Sequence, residues 1–251
     1  MRVFIINLAR SADRKEAMQK RINELYLKDK TLKSKLSFEF FEAIDGKNEA
    51  NLKAFDEYID DKKANLLRGG ALSSSEKACF ASHLMLWKKC IELDESIIIL
   101  EDDVIFKNEF LEFIDEFINS PYDFVRLMAL KKLKGVIYLN EHHILTTRRA
   151  SGTQGYLLRP AAAIKFLKKA KFFYPLDDYM DKFFLHDVFI IVFKPYLISM
   201  HFEQSTINMG KKSAIINTHR EIMRFVYRVI SFLYIIFNRK KIKELKNLAK
   251  N

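Results

Sequence analysis

The chain has 251 residues, of which 49% are hydrophobic and 30% charged, a composition typical of a folded globular protein. Its seven glycines form no G-x-G-x-x-G, G-x-x-x-x-G-K-[ST] or G-x-S-x-G pattern, which excludes the usual dinucleotide fingerprint, P-loop and hydrolase nucleophile elbow. The formal net charge is +11, and residues 211–251 carry +9 of it. The nearly neutral remainder argues against a nucleic-acid groove in the main fold, so we expect no nucleic-acid partner.

Strand and helix patterns alternate along the first half of the chain, which predicts an α/β fold with a mostly parallel central sheet. Strand patterns cover residues 2–8, 37–44, 96–100, 122–128, 135–139, 143–147, 153–158, 188–193 and 196–201. Helical patterns cover residues 11–28, 73–93, 107–119 and 160–170, and another begins near 177. Ser73 and Glu76 have the spacing of a capping box, and Pro160 suits a first helical position. Residues 48–70 remain without an assigned structure.

Cys79 and Cys90 are eleven positions apart on one predicted helix. They would lie about 16 Å apart, which is too far for a disulfide. Free thiols suit a reducing cytosol, and Met1 opens directly into a strand pattern rather than a signal peptide. We therefore expect a cytoplasmic protein.

An acidic cluster, Glu101-Asp102-Asp103, follows the apolar strand pattern Ser96–Leu100. Ligands of open α/β sheets bind beyond the carboxyl ends of the strands. With the strand period of two, Glu101 and Asp103 would point to one side and Asp102 to the other. Two carboxylates on one side suit Mg²⁺ or Mn²⁺, while a solvated acidic turn is an equally weighted alternative.

An ordered set of short motifs resembles glycosyltransferase family 25, the lipooligosaccharide or lipopolysaccharide galactosyltransferase type. The matching segments, spread over residues 1–207, are 4–10 with Asp13 and Arg14, 42–46, 72–87, 99–104, 153–158 with 161–163, and 175–177. One departure is Ala78, where the family usually has Gly. The resemblance implies a GT-A-like nucleotide-sugar-binding fold, a UDP-sugar donor such as UDP-galactose, a Mn²⁺ or Mg²⁺ cofactor at a D-x-D-like motif, and inversion at the anomeric carbon.

The resemblance also implies roles for several acidic and histidine side chains. Asp103 would be the principal metal ligand, with Glu101 contacting the metal or the ribose and His201 as a late metal-binding histidine. Asp177, in the family's P-x-D motif, would be the catalytic base. Asp178 is a second candidate for the base and Asp181 a third, and a helix cap is an alternative role for Asp177.

Donor and acceptor contacts are expected from two further segments. Asn7, Arg10 and Arg14 follow the first strand, where the nucleotide would lie, and a guanidinium there could pair with a phosphate. Asp102 would orient the metal-binding carboxylates. The segment Thr153, Gln154, Gly155 and Tyr156 would line the donor-sugar and acceptor region, with Tyr156 stacking on a sugar or serving only as a strand aromatic.

The C-terminal segment predicts a basic amphipathic helix, so we divide the chain into a GT-A-like catalytic domain at 1–210 and a helical tail at 211–251. The apolar run 222–237 would span about 24 Å as a helix, short of the roughly 30 Å hydrocarbon core, and contains Arg224 and Arg228. An interfacial helix on an anionic membrane surface is favoured over a helix that packs on the body or on a second copy, which would make a homodimer.

These observations predict an inverting, metal-dependent galactosyltransferase that acts on a growing lipooligosaccharide, peripheral on the inner face of the bacterial inner membrane. A divalent-metal phosphohydrolase that uses the same acidic cluster is one alternative. A non-enzymatic membrane adaptor acting through the basic tail is another.

Overall fold

The computed structural model describes residues 1–200 and 214–248, with side chains beyond residue 200 described from 221 onward. Its strands are β1 Arg2–Asn7, β2 Ser37–Glu42, β3 Ile97–Glu101, β4 Val104–Phe106, β5 Phe124–Arg126, β6 Val136–Tyr138, β7 His143–Thr146, β8 Gly155–Leu158, β9 Ile190–Phe193 and β10 Ile198–Met200. Its helices are α1 Ala12–Lys28, α2 Leu32–Lys35, α3 Glu49–Lys53, α4 Asp61–Arg68, α5 Ser74–Leu93, α6 Asn108–Ile118, α7 Pro160–Lys169, α8 Leu176–Met180, α9 Phe183–His186, α10 Ala214–Phe237 and α11 Arg239–Leu248, with a 3₁₀ turn at Asp56–Tyr58.

Eight strands form one sheet in the order β2-β1-β3-β8-β5-β9-β7-β6, and β4 pairs with β10 in a small second sheet. The pairs β1-β2, β1-β3 and β5-β9 are parallel, while β3-β8, β5-β8, β6-β7 and β7-β9 are antiparallel. The α/β class is confirmed, and the sheet is mixed, with six of the eight described strands running in one direction and β7 and β8 in the other. The four residues between β6 and β7 are too few for a parallel crossover, and β8 inserts in reverse between two parallel neighbours.

The directions of the strands position the site. Because β8 is antiparallel to both β3 and β5, those two strands run the same way, and β9 and β1 run with them. The carboxyl ends of β1, β3, β5 and β9 therefore meet at one edge of the sheet, which we call the carboxyl edge.

The core lies on both faces of this sheet. Ile97 and Ile99 pack into one hydrophobic cluster, while Ile98 and Leu100 pack into the other. All four are essentially without solvent exposure, so β3 is a central strand covered on both faces, as its apolar run predicts. Burying such a side chain contributes about 1.5–3 kcal/mol, so β3 is rigid up to its last residue.

Helix α5 covers one face of the sheet. Ser73 accepts a hydrogen bond from the Glu76 amide at 3.2 Å, and the Glu76 carboxylate accepts one from the Ser73 amide at 2.8 Å, which confirms the capping box. The fully buried Trp87 stacks on Phe166 of α7 with ring centroids 4.8 Å apart. Cys79 and Cys90 are free thiols, as predicted.

The C-terminal helices contact the body through one side. Ile242 of α11 is buried in the cluster that includes Ile98 and Leu100, and Tyr122 donates a hydrogen bond to the Leu245 carbonyl at 3.2 Å. Lys241 pairs with Asp187 at 2.9 Å. In residues 1–200 and 214–248, no helix is both long and apolar enough to cross a bilayer. The boundary proposed at 210 falls outside the described residues and stays a prediction.

Candidate active site at the carboxyl edge of the sheet

Strand β3 ends at Glu101, and Asp102 and Asp103 form the turn that leads into β4. Asp102 turns toward the end of β1. Its carboxylate accepts a hydrogen bond from the Asn7 side-chain amide at 2.7 Å and pairs with the Arg14 guanidinium at 3.2 Å. Asn7 also donates to the Ser11 carbonyl at 3.1 Å, which ties this contact to the start of α1. Asp102 is therefore a satisfied carboxylate that joins β1, α1 and the turn.

Glu101 lies in a different environment. Its carboxyl accepts a hydrogen bond from the Thr153 hydroxyl, and its side chain is 24% exposed. Burial, with the neighbouring charge of Asp103, raises the pKa of Glu101 to about 8. His83 has its imidazole within 3.9 Å of this carboxyl, but burial lowers the pKa of His83 to about 3, so the ring is neutral. No cation among the described residues compensates Glu101.

Asp103 is the second uncompensated carboxylate. Burial and the charge of Asp102 raise its pKa, and the more distant Arg14 and Arg21 oppose the shift only in part. Its Oδ1 atom is buried and has no hydrogen-bond partner within the described residues. A buried carboxylate oxygen without a donor is costly unless a ligand or cation meets it.

Asp177 is the third acidic side chain of the site whose pKa is raised. It lies in the first turn of α8, just after Pro175. Burial raises its pKa, and the charges of Asp178 and Asp181 raise it further. The charge of Asp177 in turn contributes to the raised pKa of Glu101, so α8 faces the end of β3. A carboxylate with a raised pKa is suited to accept a proton during a reaction.

Asp178 and Asp181, the other two candidates for the base, have guanidinium partners. Asp178 pairs with Arg149 at 2.9 Å in a partly exposed contact. Asp181 forms a buried ion pair with Arg126, 3.0 Å between Nη2 and Oδ1, with both side chains at most 2% exposed. Asp181 is therefore unavailable as a base, since its carboxylate is enclosed and occupied.

The ion pair of Arg126 and Asp181 also holds the loop that leads into β8. Arg126 donates to the Gly152 carbonyl at 2.9 Å, and Asp181 accepts from the Ser151 amide at 2.9 Å. Ser151 and Gly152 both have positive φ angles, 56° and 85°, and the ion pair stabilises this unusual backbone. This loop carries Thr153 to Glu101. Sequence reasoning missed Arg126, whose only signal is a lone charge in an apolar strand.

The segment 153–156 is only partly a surface of the site. Thr153 contacts Glu101, and the Gln154 carbonyl accepts from the Glu101 amide at 2.9 Å. Tyr156, however, is 1% exposed and its hydroxyl contacts His83 at 2.8 Å and Trp87 at 2.9 Å. The prediction that Tyr156 lines the sugar region is wrong, because its ring belongs to the core.

Gly155 is likewise a packing residue. A Cβ at this position would lie 2.6 Å from Ile198 and 2.8 Å from Leu100. The small residue is required by close packing of β8 against two core side chains, and its place in the donor-sugar region stays a prediction.

Two further candidates lie at the margin of the site. Arg10 pairs with Asp45 in the loop after β2, and its side chain is 42% exposed. His201 lies outside the described residues. Met200, the residue before it, pairs in the small sheet with Val104, which directly follows Asp103.

Two of these side chains are suited to a divalent cation. No group of three or more His, Cys, Asp or Glu residues among those described is arranged to hold a metal ion. Asp103, with an unpartnered oxygen, and Glu101, without a counter-charge, are two suitable oxygen donors. Mg²⁺-type sites often use only one or two carboxylates with substrate phosphates and water, so this donor set fits such a site.

Comparisons with known proteins find relatives that share part of this sequence. Lipooligosaccharide biosynthesis protein lic2B of Haemophilus influenzae is 33% identical over 114 residues, which are 45% of this chain and 37% of that protein. Procollagen galactosyltransferase 2 of Mus musculus is 31% identical over 111 residues, 43% of this chain and 16% of that protein. Procollagen lysyl hydroxylase and glycosyltransferase of Acanthamoeba polyphaga mimivirus is 37% identical over 119 residues, 44% of this chain and 13% of that protein.

The chain thus covers well under half the length of these relatives. The model of glycosyltransferase family 25 (LPS biosynthesis protein) matches residues 1–180, which contain β1, β3 and the start of α8. That match extends over more than two thirds of the sequence. This chain therefore belongs to glycosyltransferase family 25.

Proposed function

We propose that this chain transfers galactose from UDP-galactose to a sugar of a growing lipooligosaccharide, with inversion at the anomeric carbon. Family membership supports glycosyl transfer, and the names of the Haemophilus and mouse relatives support the acceptor class and the sugar. The observation that carries the proposal is the set of three carboxylates, Glu101, Asp103 and Asp177, that are raised in pKa at one sheet edge.

In this proposal Asp103 and Glu101 hold Mn²⁺ or Mg²⁺, with His201 as the third ligand that the family resemblance implies. The bound cation would neutralise charge on the diphosphate of the donor. Asp102, fixed by Asn7 and Arg14, orients the turn that carries Asp103. Arg10 lies on the same side at the end of β1 and is exposed enough to reach the nucleotide.

Asp177 is proposed as the base. It would take the proton from the acceptor hydroxyl while the acceptor oxygen bonds to C1 of the sugar. The bond from C1 to the diphosphate oxygen breaks, and UDP leaves with that electron pair. Attack from the face opposite the leaving group inverts C1. Asp178 stays the second candidate for the base, since its carboxylate is partly exposed and would have to leave Arg149.

The test is a panel of UDP-sugars assayed for UDP release with Mn²⁺, with Mg²⁺ and with EDTA, each with and without deacylated lipooligosaccharide. We expect acceptor-dependent UDP release from UDP-galactose that EDTA abolishes and that Asp103→Asn lacks. Asp115→Asn is the matched control, because Asp115 is an exposed acid of α6 that pairs with Lys35 and has no part in the proposed site. Phosphate release from simple phosphoesters without sugar transfer would instead support the phosphohydrolase alternative.

A membrane-bound location is proposed from the outer side of α10. Its exposed apolar residues fall within an arc of about 160° at 100° per residue, opposite the body contacts Tyr227 and Tyr234. They are Ile222, Phe225, Val226, Val229, Ile230, Phe232, Leu233 and Phe237. Exposed basic residues of α11 follow directly, so the surface matches an anionic bilayer such as the inner face of the bacterial inner membrane.

Sedimentation with vesicles of phosphatidylglycerol and phosphatidylethanolamine tests this location. We expect binding that is lost in Phe225→Ser/Phe232→Ser and unchanged in Leu27→Ser/Ile164→Ser, which alters exposed apolar residues of α1 and α7. A concentration-dependent dimer that the Phe225→Ser/Phe232→Ser variant abolishes, without vesicle binding by the unaltered chain, would show that a second copy covers this face.

A further inference from the structure

A second feature of the carboxyl edge is an open groove beyond the acidic site, with a volume of about 470 Å³. One wall is the segment 129–133, which follows β5, and the other includes Lys194 and Tyr196, which follow β9. Since β5 and β9 run with β3, the groove opens at the same edge as Glu101. We call it the lysine groove, after Lys131, Lys132 and Lys194.

The lysine groove is joined to the candidate active site by backbone hydrogen bonds. The Leu130 amide donates to the Ser151 carbonyl at 3.4 Å and the Lys131 amide to the Ala150 carbonyl at 3.2 Å. Ser151 is the residue held by the Asp181 carboxylate, and Thr153 follows two positions later. The wall of the groove is therefore hydrogen-bonded to the loop that carries Thr153 to Glu101.

The groove concentrates positive charge that no carboxylate of the described residues pairs with. In the described part of the chain, none of Lys131, Lys132 and Lys194 forms an ion pair with a carboxylate. Burial and the nearby ammonium of Lys107 lower the pKa of Lys194. Lys107 is itself paired with Glu109 at 2.8 Å. An anion in the groove would relieve this repulsion.

The groove also offers aromatic and apolar surface. The Lys194 ammonium lies 3.3 Å from the centroid of the Tyr196 ring. The Tyr138 ring is 66% exposed, and Val136 and Ile144 line the groove beside it. Tyrosine rings can contact the C–H face of a sugar while their hydroxyls form hydrogen bonds. Cations and tyrosines together are suited to a saccharide that carries a negative charge.

We propose that the lysine groove binds the acceptor, and that the acceptor is an anionic saccharide whose phosphate or carboxylate pairs with Lys131, Lys132 and Lys194 while its ring contacts Tyr138 or Tyr196. This inference deepens the proposed function and rests on it, because the bound saccharide is an acceptor only if the chain transfers a sugar. The binding of an anionic sugar in the groove can be measured without any turnover.

The test compares three one-ring ligands: glucose, glucuronic acid and glucose 6-phosphate. Binding to the full chain is followed by ligand-observed NMR at low and high salt, with UDP-galactose turnover measured separately. We expect the two anions to bind about tenfold or more tightly than glucose at low salt, with the advantage reduced at high salt. A preference for glucose 6-phosphate over glucuronic acid would assign phosphate as the anion, and the reverse would assign carboxylate.

Lys131→Gln/Lys132→Gln and Lys194→Gln should each remove most of the preference for anions. Lys168→Gln/Lys169→Gln at the end of α7 is the matched control, with the same change of charge at exposed positions remote from the groove. Equal binding of glucose and the two anions, or equal effects of groove and control variants, would overturn the groove proposal even if the chain transfers galactose. Selective anion binding without any UDP-sugar turnover would keep the groove and overturn the proposed reaction.

Discussion

Two sets of carboxylates lie at the same edge of the sheet, and they differ in whether the fold satisfies them. Asp102 and Asp181 have hydrogen-bond and guanidinium partners on neighbouring elements. Glu101, Asp103 and Asp177 have raised pKa values, caused first by burial and then by neighbouring acids. The first set connects β1, β5 and the loop before β8. The second set lies among these connected elements.

The difference separates carboxylates that support the structure from carboxylates that are available to ligands. A satisfied buried carboxylate orders the backbone around it, because its removal would leave a donor or a charge unpaired. Uncompensated carboxylates that lie together destabilise the folded chain in their charged form, and such groups are concentrated at functional sites. We therefore treat the first set as structural support and the second as the groups that meet cation, donor and acceptor.

Asp177→Asn provides the largest expected change in activity. If Asp177 is the base, the rate of sugar transfer should fall by about 10²–10⁴-fold, the usual contribution of a positioned base. The free energy of unfolding should stay the same or rise, because the substitution removes one of several like charges. Single-turnover kinetics and urea unfolding measure the two quantities. Transfer at the unaltered rate would contradict the role of Asp177 and make Asp178 the base.

Asp181→Ala should have the largest effect on stability. It leaves the Arg126 guanidinium buried and unpaired, and breaking a buried pair in this way costs about 3–5 kcal/mol. Urea unfolding measures the loss. The double variant Arg126→Met/Asp181→Leu is the control, since apolar replacement of both partners should recover much of the stability. A loss below about 1 kcal/mol in Asp181→Ala would mean that the pair does not support the loop.

The position of the acidic turn can be predicted from the sequence, whereas the partners of the buried acids cannot. The acidic turn after β3 could be located because the apolar run Ile97–Leu100 ends directly before it, and the capping box located the start of α5. The partner of Asp181 could not be located from the sequence, because Arg126 is 55 positions away. Only the pairing of β5 with β8 brings Arg126 to the loop. Tyr156 shows the same limit, since periodicity identifies a strand without telling which neighbouring helix covers it.

The dependence of stability on pH directly tests the set of Glu101, Asp103 and Asp177. The pKa of Glu101 is raised from 4.5 to about 8, so the folded chain binds more protons than the unfolded chain between these values. The free energy of unfolding should therefore fall as pH rises through this window, by about 1 kcal/mol or more. Urea unfolding in EDTA from pH 4.5 to 8.5 measures the slope. Glu101→Gln should flatten it, and an unchanged slope in this variant would assign the titration to other groups.

Arg149→Ala should have the smallest effect on stability. It tests whether burial determines how much an ion pair contributes. The Arg149 pair with Asp178 and the Arg126 pair with Asp181 have nearly equal separations, 2.9 and 3.0 Å, and their acids are three residues apart. They differ in exposure: the Arg149 side chain is 40% exposed and the Arg126 side chain 2%. An exposed pair contributes about 0–1 kcal/mol, so urea unfolding should show little loss in Arg149→Ala. Since the separation is nearly equal in the two pairs, a loss as large as that of Asp181→Ala would mean that burial does not determine how much an ion pair at this sheet edge stabilises the fold.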